Sequence, residues 1–557
     1  MKVVRLAARN AMHLLVPSVG AGLVAGLGGA ALIALINRTL NDPEPATPAL
    51  VAAYAAMCAL VPLSRLASAA LLIKLSQRMT YDLRMRLSER ILGAPLRHLE
   101  EIGTHRLLAA LTDDVLVIAN AVVNIPVVCV NLAVLLGCMA YVGYLSLPLL
   151  ASMLLAIAVG VVSYLLPMAR ANRRLRLARE LQNDLFKHFN GLTGGIKELK
   201  LHQRRAKTFT GEVLEASAEA VRRHTAAGMT AYAAASSFGQ GLLFGFIGLL
   251  IFKLGGMLDA SVEVMAGCVL VALYMMGPLE VIVNALPAFG RARISLQNFE
   301  QLGLSLAAQP RERMRSAPTA HWRSLELDRV AFRYRAEDDK RGFAVGPISL
   351  QLKPGEIVFV TGGNGTGKTT FVKLLTGLYA PDSGQIRLDD EIVDDAARVA
   401  YRQNFSAVFF DFHLFDQLLG LDVGDAAERI RAYLEVLQLG DKVSVREGAL
   451  STTELSQGQR KRLALLTAYL EDRPIYVFDE WAADQDPVFK EVFYRKLLPE
   501  LKHRGKTVVV ISHDDRYFEV ADRIVKLDAG KFSAPASAAR PFDEPIRPEV
   551  VDVHFSS

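Results

Sequence analysis

The sequence predicts two fused folds, a helical membrane domain of six spans followed by an α/β domain of the phosphate-loop type. Three observations carry this. Hydrophobic residues make up 52% of the 557 residues and mean hydropathy is +0.26, with the apolar excess concentrated before residue 290, where a soluble chain has no use for it. Residues 362–369 read Gly362-Gly363-Asn364-Gly365-Thr366-Gly367-Lys368-Thr369, a complete G-x-x-x-x-G-K-[ST] loop. Further on, the apolar run Ile475-Tyr476-Val477-Phe478 ends in Asp479-Glu480, acidic groups at the end of a buried strand.

The spans come first in the chain. Apolar stretches run approximately from Met12 to Ile36, Ala49 to Leu75, Val115 to Tyr144, Pro148 to Met168, Met229 to Phe252 and Val262 to Leu286. Each is near or above the roughly twenty residues that cross a bilayer as helix. Long buried helices of a soluble protein would need polar faces at helical period, and these stretches have almost none. Basic residues orient them. Lys2, Arg5 and Arg9 precede the first span, Arg78, Arg84, Arg86, Arg90, Arg97 and Arg106 separate the second and third, and Arg170 to Arg223 fill the connection between the fourth and fifth. The remaining connections carry Asp42 and Glu44, essentially no charge, and Asp259 with Glu263. The positive-inside rule therefore predicts a multi-pass protein with both termini in the cytoplasm. The first span is too long for a signal peptide and is expected to be retained.

Two cytoplasmic connections, about Ser76 to Asp114 and Ala169 to Gly228, have helical composition and are too long to be simple loops. As helices descending and returning, each projects roughly 30 Å from the membrane. The net charge of +6 follows from this topology, so a nucleic-acid partner is not expected and the bilayer is. Cys58, Cys129, Cys138 and Cys268 all fall inside spans without metal-ligand spacing, and read as small apolar residues.

Chemistry is concentrated after residue 324. The phosphate loop follows Ile357-Val358-Phe359-Val360 and opens the helical Phe371-Val372-Lys373-Leu374-Leu375, the strand–loop–helix context the motif requires. Its glycines let successive N–H groups converge on phosphates, Lys368 supplies a cation to the terminal oxygens, and Thr369, followed by Thr370, offers a hydroxyl to Mg²⁺. The loop thus predicts a bound nucleoside triphosphate. Asp479 is placed for the Mg²⁺ shell and Glu480 to polarise an attacking water. His513 sits just past Val509-Val510-Ile511, at the carboxyl end of a strand where side chains meet ligands.

With Leu455-Ser456-Gln457-Gly458-Gln459 between these elements, the carboxyl-terminal portion resembles the nucleotide-binding domain of an ABC transporter, and the whole chain an ABC exporter half-transporter. The resemblance implies a six-span helical domain of the exporter type fused to an α/β P-loop ATPase, with ATP and Mg²⁺ as cofactors. It implies that Tyr334, in Val330-Ala331-Phe332-Arg333-Tyr334, stacks on adenine, and that Asp486 ends the D-loop. Ser456, Gly458 and Gln459 of the signature would face ATP held by a second copy, so a homodimer is expected. It also implies short coupling helices at the tips of the projections, near Leu96 to Gly103 and Gly191 to Leu201. The expected domains are 1–290 for the membrane half, 291–323 a linker, 324–534 the nucleotide-binding domain and 535–557 an irregular tail.

Two segments depart from the family pattern. In Val408-Phe409-Phe410-Asp411-Phe412-His413-Leu414-Phe415, Phe410 stands where the family has a glutamine that touches Mg²⁺ and water. A phenyl ring cannot ligate a metal; water, Asp411 or a shifted Gln403 remain as substitutes. Trp481 and Gln485 replace small and aliphatic residues after Glu480, and Trp481 reads as packing. Gly194-Gly195-Ile196-Lys197-Glu198-Leu199-Lys200-Leu201, Phe405-Ser406-Ala407-Val408-Phe409 and Phe478 to Pro487 are similar to a bacterial subfamily that exports cyclic peptides and siderophore precursors of the pyoverdine type, in which another residue commonly replaces that glutamine. That similarity implies a peptide-like cargo crossing the bacterial inner membrane. Lipid or hydrophobic-drug export, and a non-transporting ATP-switched regulator, are the alternatives. Glu280 and Asn284, one turn apart on the last span, are candidates for the cargo cavity, because an intramembrane carboxylate must face protein or water; a helix-packing role near the inner interface is the other reading.

Overall fold

The computed structural model describes residues 2–41, 47–258, 260–301, 322–334, 343–421 and 426–533. Asp42, Glu44, Asp259, most of the expected linker and the tail from 535 lie outside the described residues. The chain divides into two compact units, Met1–Leu92 with Ile102–Ala308, and Gly93–Glu101 with Gln309–Ser557.

Among the described residues the first unit holds six helices long and apolar enough to cross a membrane: Met12–Thr39, Pro48–Gly93, Arg106–Leu145, Leu147–Gly194, Gln203–Met257 and Val262–Glu300. Several run far past the apolar stretches that predict them, as the projecting connections require. Pro48–Gly93 is 46 residues, roughly 70 Å of helix at 1.5 Å per residue. Ser146 breaks the third span from the fourth in an extended conformation, and Pro148 restarts the helix in its first turn. Close packing uses small residues. A Cβ on Gly26 would lie 2.3 Å from Val134 of the third span, so only glycine lets these backbones approach. Val134, Cys138, Leu149, Ile247, Cys268 and Val271 continue that contact into a buried cluster, and all four cysteines are free thiols. Polar side chains find partners on neighbouring spans: Ser68 donates to the Ser18 carbonyl at 2.8 Å and Asn37 to the Tyr141 hydroxyl at 3.1 Å. The last helix runs to Gln301, so the first residues assigned to a linker continue the span.

The second unit contains strands β1 (Leu325–Arg333), β2 (Ala344–Leu352), β3 (Ile357–Thr361), β4 (Ser383–Leu388), β5 (Glu391–Ile392), β6 (Phe405–Val408), β7 (Val445–Arg446), β8 (Ala449–Leu450), β9 (Ile475–Asp479), β10 (Thr507–Ile511), β11 (Arg523–Asp528) and β12 (Lys531–Phe532). An antiparallel sheet has order β2-β1-β4-β5, and a mainly parallel sheet has order β12-β11-β3-β10-β9-β6. The middle strands β9 and β10 are buried along their whole length, and β3 nearly so. That explains their unbroken apolar runs: a parallel strand covered on both faces has no polar side. Parallel register brings three strand ends to one edge, since Val360 pairs with Ile511 and Ile511 with Asp479. Whatever follows β3, β9 and β10 must converge there.

The short helix Leu96–Ile102, where the first coupling helix is expected, begins in residues that belong to this second unit by contact. Glu100 accepts from Lys373 Nζ at 2.7 Å and from the Tyr379 hydroxyl. Arg97 donates to Asp382 and to the Arg333 carbonyl, both at 3.0 Å, with its guanidinium 4.7 Å from the Phe332 ring centre. The second short helix, Ile196–Leu201, starts after Gly195 in the first unit.

Candidate functional site

The loop after β3 has the geometry its glycines predict. Gly362 and Gly367 take φ of 156° and 100°. A Cβ on Gly362 would lie 2.2 Å from the Leu527 carbonyl oxygen, and one on Gly367 2.5 Å from Val345, so conformation and space both exclude a side chain. Gly367 is the N-cap of the helix Lys368–Leu375, whose free N–H groups and dipole favour an anion at that end. Asn364, Gly363 and Gly365 complete the turn, closed by Thr366 donating to the Gly363 carbonyl at 2.9 Å. The buried ammonium of Lys368 donates to the Gly362 and Gly363 carbonyls at 3.0 Å each and lies 3.3 Å from Glu480 Oε1.

Glu480 follows β9 in the left-handed region, with φ 49° and ψ 35°, a conformation that costs a non-glycine residue about 1–3 kcal/mol. Its N–H is held by the Ile511 carbonyl of β10 at 3.1 Å. The same Oε1 lies 3.2 Å from His513 Nε2. Residues that follow β3, β9 and β10 therefore meet at one carboxylate oxygen.

Asp479 is 1% exposed. Burial, with Glu480 beside it, pushes its pKa up to about 6, against the Thr369 hydroxyl and the Lys368 charge, which favour the carboxylate. Its Oδ2 is a buried acceptor with no hydrogen-bond partner among the described residues. An orphaned carboxylate oxygen next to a threonine hydroxyl is a hard-oxygen pair of the kind that holds Mg²⁺ together with phosphate oxygens, so these residues fit the ion.

Tyr334, just past β1, shares a hydrogen bond with Thr370 at 3.0 Å, and its ring meets Phe332 edge-on at 5.2 Å. It is 37% exposed, which places a partly open aromatic next to the loop helix. Ser456 caps the helix Gln457–Glu471 through a reciprocal capping box with Gln459, a local reason for serine and glutamine at that spacing. Gly458 is constrained, since a Cβ there would meet the Asp484 carbonyl at 2.8 Å. Asp486 caps the helix Pro487–Val492 through the Phe489 N–H and pairs with Arg462; the Phe489 N–H first, and then the guanidinium, hold its carboxyl below the usual range.

At the departures, Phe410 is half exposed and Gln403 bonds the Val399 carbonyl of its own turn at 3.5 Å. Of the three substitutes open in sequence, Asp411 is the one whose charge reaches Asp479, raising its pKa. Trp481 is packed: 1% exposed, stacked on Phe493 at 4.3 Å, and donating its indole N–H to the Lys461 carbonyl at 2.9 Å. Sequence reasoning missed Lys461 and Arg462, in the basic stretch Arg460-Lys461-Arg462 that follows the signature. Both are buried and both pair with the acidic residues of the turn after β9.

In the membrane unit Glu280 and Asn284 line one pocket with Ile157, Gly160, Tyr164, Gln240 and Leu243. Asn284 Oδ1 accepts from the Tyr232 hydroxyl.

Residues 14–279 match the family described as ABC transporter transmembrane region, and residues 345–483 the family described as ABC transporter. The chain is 36% identical over 520 residues to "ATP-binding protein SyrD" of Pseudomonas syringae pv. syringae, covering 91% of this chain and 92% of that protein. It is 29% identical over 484 residues to the "ATP-dependent lipid A-core flippase" of Alkalilimnicola ehrlichii, and 28% over 478 to that of Ralstonia nicotianae, each covering 82% of this chain and 78% of the relative.

Proposed function

Because the chain belongs to the ABC transporter family, in which ATP hydrolysis is coupled to transport, we propose that it exports a peptide-like natural product, a siderophore precursor or cyclic peptide, across the bacterial inner membrane. It does so as a homodimer with both termini in the cytoplasm. Gly362 to Thr370 grip the triphosphate of ATP, Lys368 shifts from its loop carbonyls to the terminal phosphate oxygens, and Tyr334 carries the base. Thr369 and Asp479 would hold Mg²⁺, which would supply positive charge beside the phosphate oxygens. Glu480 orients and deprotonates water, and His513 fixes the Glu480 carboxylate. Ser456, Gly458 and Gln459 serve the ATP of the partner copy, with Asp486 at the same junction.

The observation that carries the cargo class is the membrane pocket, where a carboxylate and three amide or phenol groups line an otherwise apolar wall. On the proposed topology Tyr164, Gly239 and Glu280 each lie about five turns, roughly 27 Å of helix, from the outer ends of the helices Leu147–Gly194, Gln203–Met257 and Val262–Glu300, on the cytoplasmic side of the pocket's spans. Cargo with both polar and apolar faces therefore enters from the cytoplasmic side. Glu280, which has no cation beside it among the described residues, suits an amine or other donor-rich group. The flippase relatives favour lipid as the second reading.

Stimulation of ATPase activity in nanodiscs separates them. A cyclic lipopeptide should stimulate; Glu280→Gln should raise the half-stimulating concentration about tenfold, the worth of one charged contact, and Asn284→Ala about threefold, the worth of one neutral hydrogen bond. Stimulation by lipid A core alone, with none by any peptide, overturns the cargo class.

A further inference from the structure

Lys461 is a lysine with no exposed side-chain surface, a placement this residue type adopts only when its charge is paired. Its ammonium donates to the Glu480 backbone carbonyl at 3.0 Å and pairs with Asp484 at 2.7 Å. Asp484 also accepts from Gln457 at 3.1 Å. The Phe410 ring centre lies 5.2 Å from the same ammonium, and the Lys461 carbonyl accepts the Trp481 indole N–H. These contacts enclose one short turn, Glu480 with the 3₁₀ segment Trp481–Asp484.

That turn needs holding. Glu480 is left-handed without being glycine, and its N–H is already fixed by β10. With the carbonyl fixed as well, the direction in which the Glu480 side chain leaves the backbone is set. Strain of this kind persists where surrounding contacts over-determine it. Phe410 stands where a glutamine would face the site, and although its ring cannot ligate a metal, its π face can cover a cation and keep water from it.

We propose that Lys461 is a positioning residue for ATP hydrolysis, locking the Glu480 turn from the signature helix, and that Phe410 is the lid over its ammonium. This rests on Glu480 being the general base. The signature helix, whose first residues serve the partner's ATP, thereby sets the geometry of its own chain's base.

The test uses the purified full-length protein, measuring kcat, KM for ATP and binding of a fluorescent ATP analogue, with Glu480→Gln as reference. Lys461→Met should lower kcat about ten- to a hundredfold, as small misplacements of catalytic groups do, while KM and analogue binding change less than about threefold. Lys461→Arg should recover part of kcat. Lys461→Met combined with Asp484→Asn should stay as low as Lys461→Met, because restoring charge balance does not restore the hold on the carbonyl. Phe410→Leu should lower kcat about two- to fivefold, and it decides alone if Lys461→Met does not fold. A Lys461→Met kcat within about twofold of wild type, full recovery in the double variant, or wild-type kcat in Phe410→Leu overturns the proposal. An active Glu480→Gln overturns the general-base reading instead, so the two failures are distinguishable.

Discussion

The carboxylate of Glu480 is shared between Lys368 and His513, so on the proposed assignment phosphate binding and water activation meet at one oxygen. Removing either partner should have separable effects. Glu480→Gln should bind ATP and lose turnover by about 10²- to 10⁴-fold, the usual worth of a general base, whereas Lys368→Ala should lose ATP affinity itself. Equilibrium binding of a labelled ATP together with single-turnover hydrolysis checks both, and near-normal hydrolysis in Glu480→Gln would remove that residue from its role. At this scale the phosphate loop is legible from sequence because its chemistry needs particular residue types at fixed spacing: no other residue takes φ of 156° at Gly362 with a carbonyl 2.2 Å from where its Cβ would lie. Lys461 is not legible, because a lysine between two arginines reads as surface charge until the fold buries it. Trp481 is half legible. Its size predicts burial, but not the indole bond to Lys461.

Among the elements, the helix Gln457–Glu471 carries a strained end. Glu471 is its last residue, where the helix dipole disfavours negative charge. Its carboxylate and the Ala468 carbonyl both draw on the single Ser406 hydroxyl proton. Burial raises its pKa, against the lowering by Ser406 and Arg473. A carboxyl whose folded pKa is raised binds more protons when folded, so stability falls as pH rises from the ordinary glutamate value through the raised one. Glu471→Gln supplies a permanent N–H in place of that proton. It should raise stability at pH 8 by about 1 kcal/mol and flatten the decline between pH 4.5 and 8; thermal melting of the detergent-purified protein across that range checks it, and an unchanged slope would contradict it. The helix Leu96–Ile102 makes a second prediction. Its place is legible from the exporter resemblance, yet its anchoring through Glu100 to Lys373 and Tyr379 needs the fold, since those partners are far apart in sequence. Glu100→Ala should abolish cargo stimulation of the ATPase while KM for ATP stays within about twofold.

For the whole molecule, hydropathy and the order of motifs are enough to give two fused folds, because each is specified by local chemistry: apolar length for the spans, loop and strand-end residues for the motor. What composition cannot supply is where one fold ends. The last span continues as helix to Gln301, since nothing in a polar helical extension marks the membrane surface, and residues 93–101 join the second unit through contacts to chain more than two hundred residues away. The proposed assembly from two copies predicts that a cysteine at Ser456 crosslinks to one at Thr366 of a second chain when ATP is trapped by Glu480→Gln, read as a dimer band on a denaturing gel; full ATPase activity from a monomer would contradict it. Directional, ATP-driven movement of a peptide is tested most directly in proteoliposomes with the motor facing outward. ATP added outside should drive a labelled cyclic lipopeptide into the lumen, and Glu480→Gln vesicles should show none. Accumulation without ATP, movement out of the lumen, or transfer of lipid A core with the peptide excluded would contradict the account.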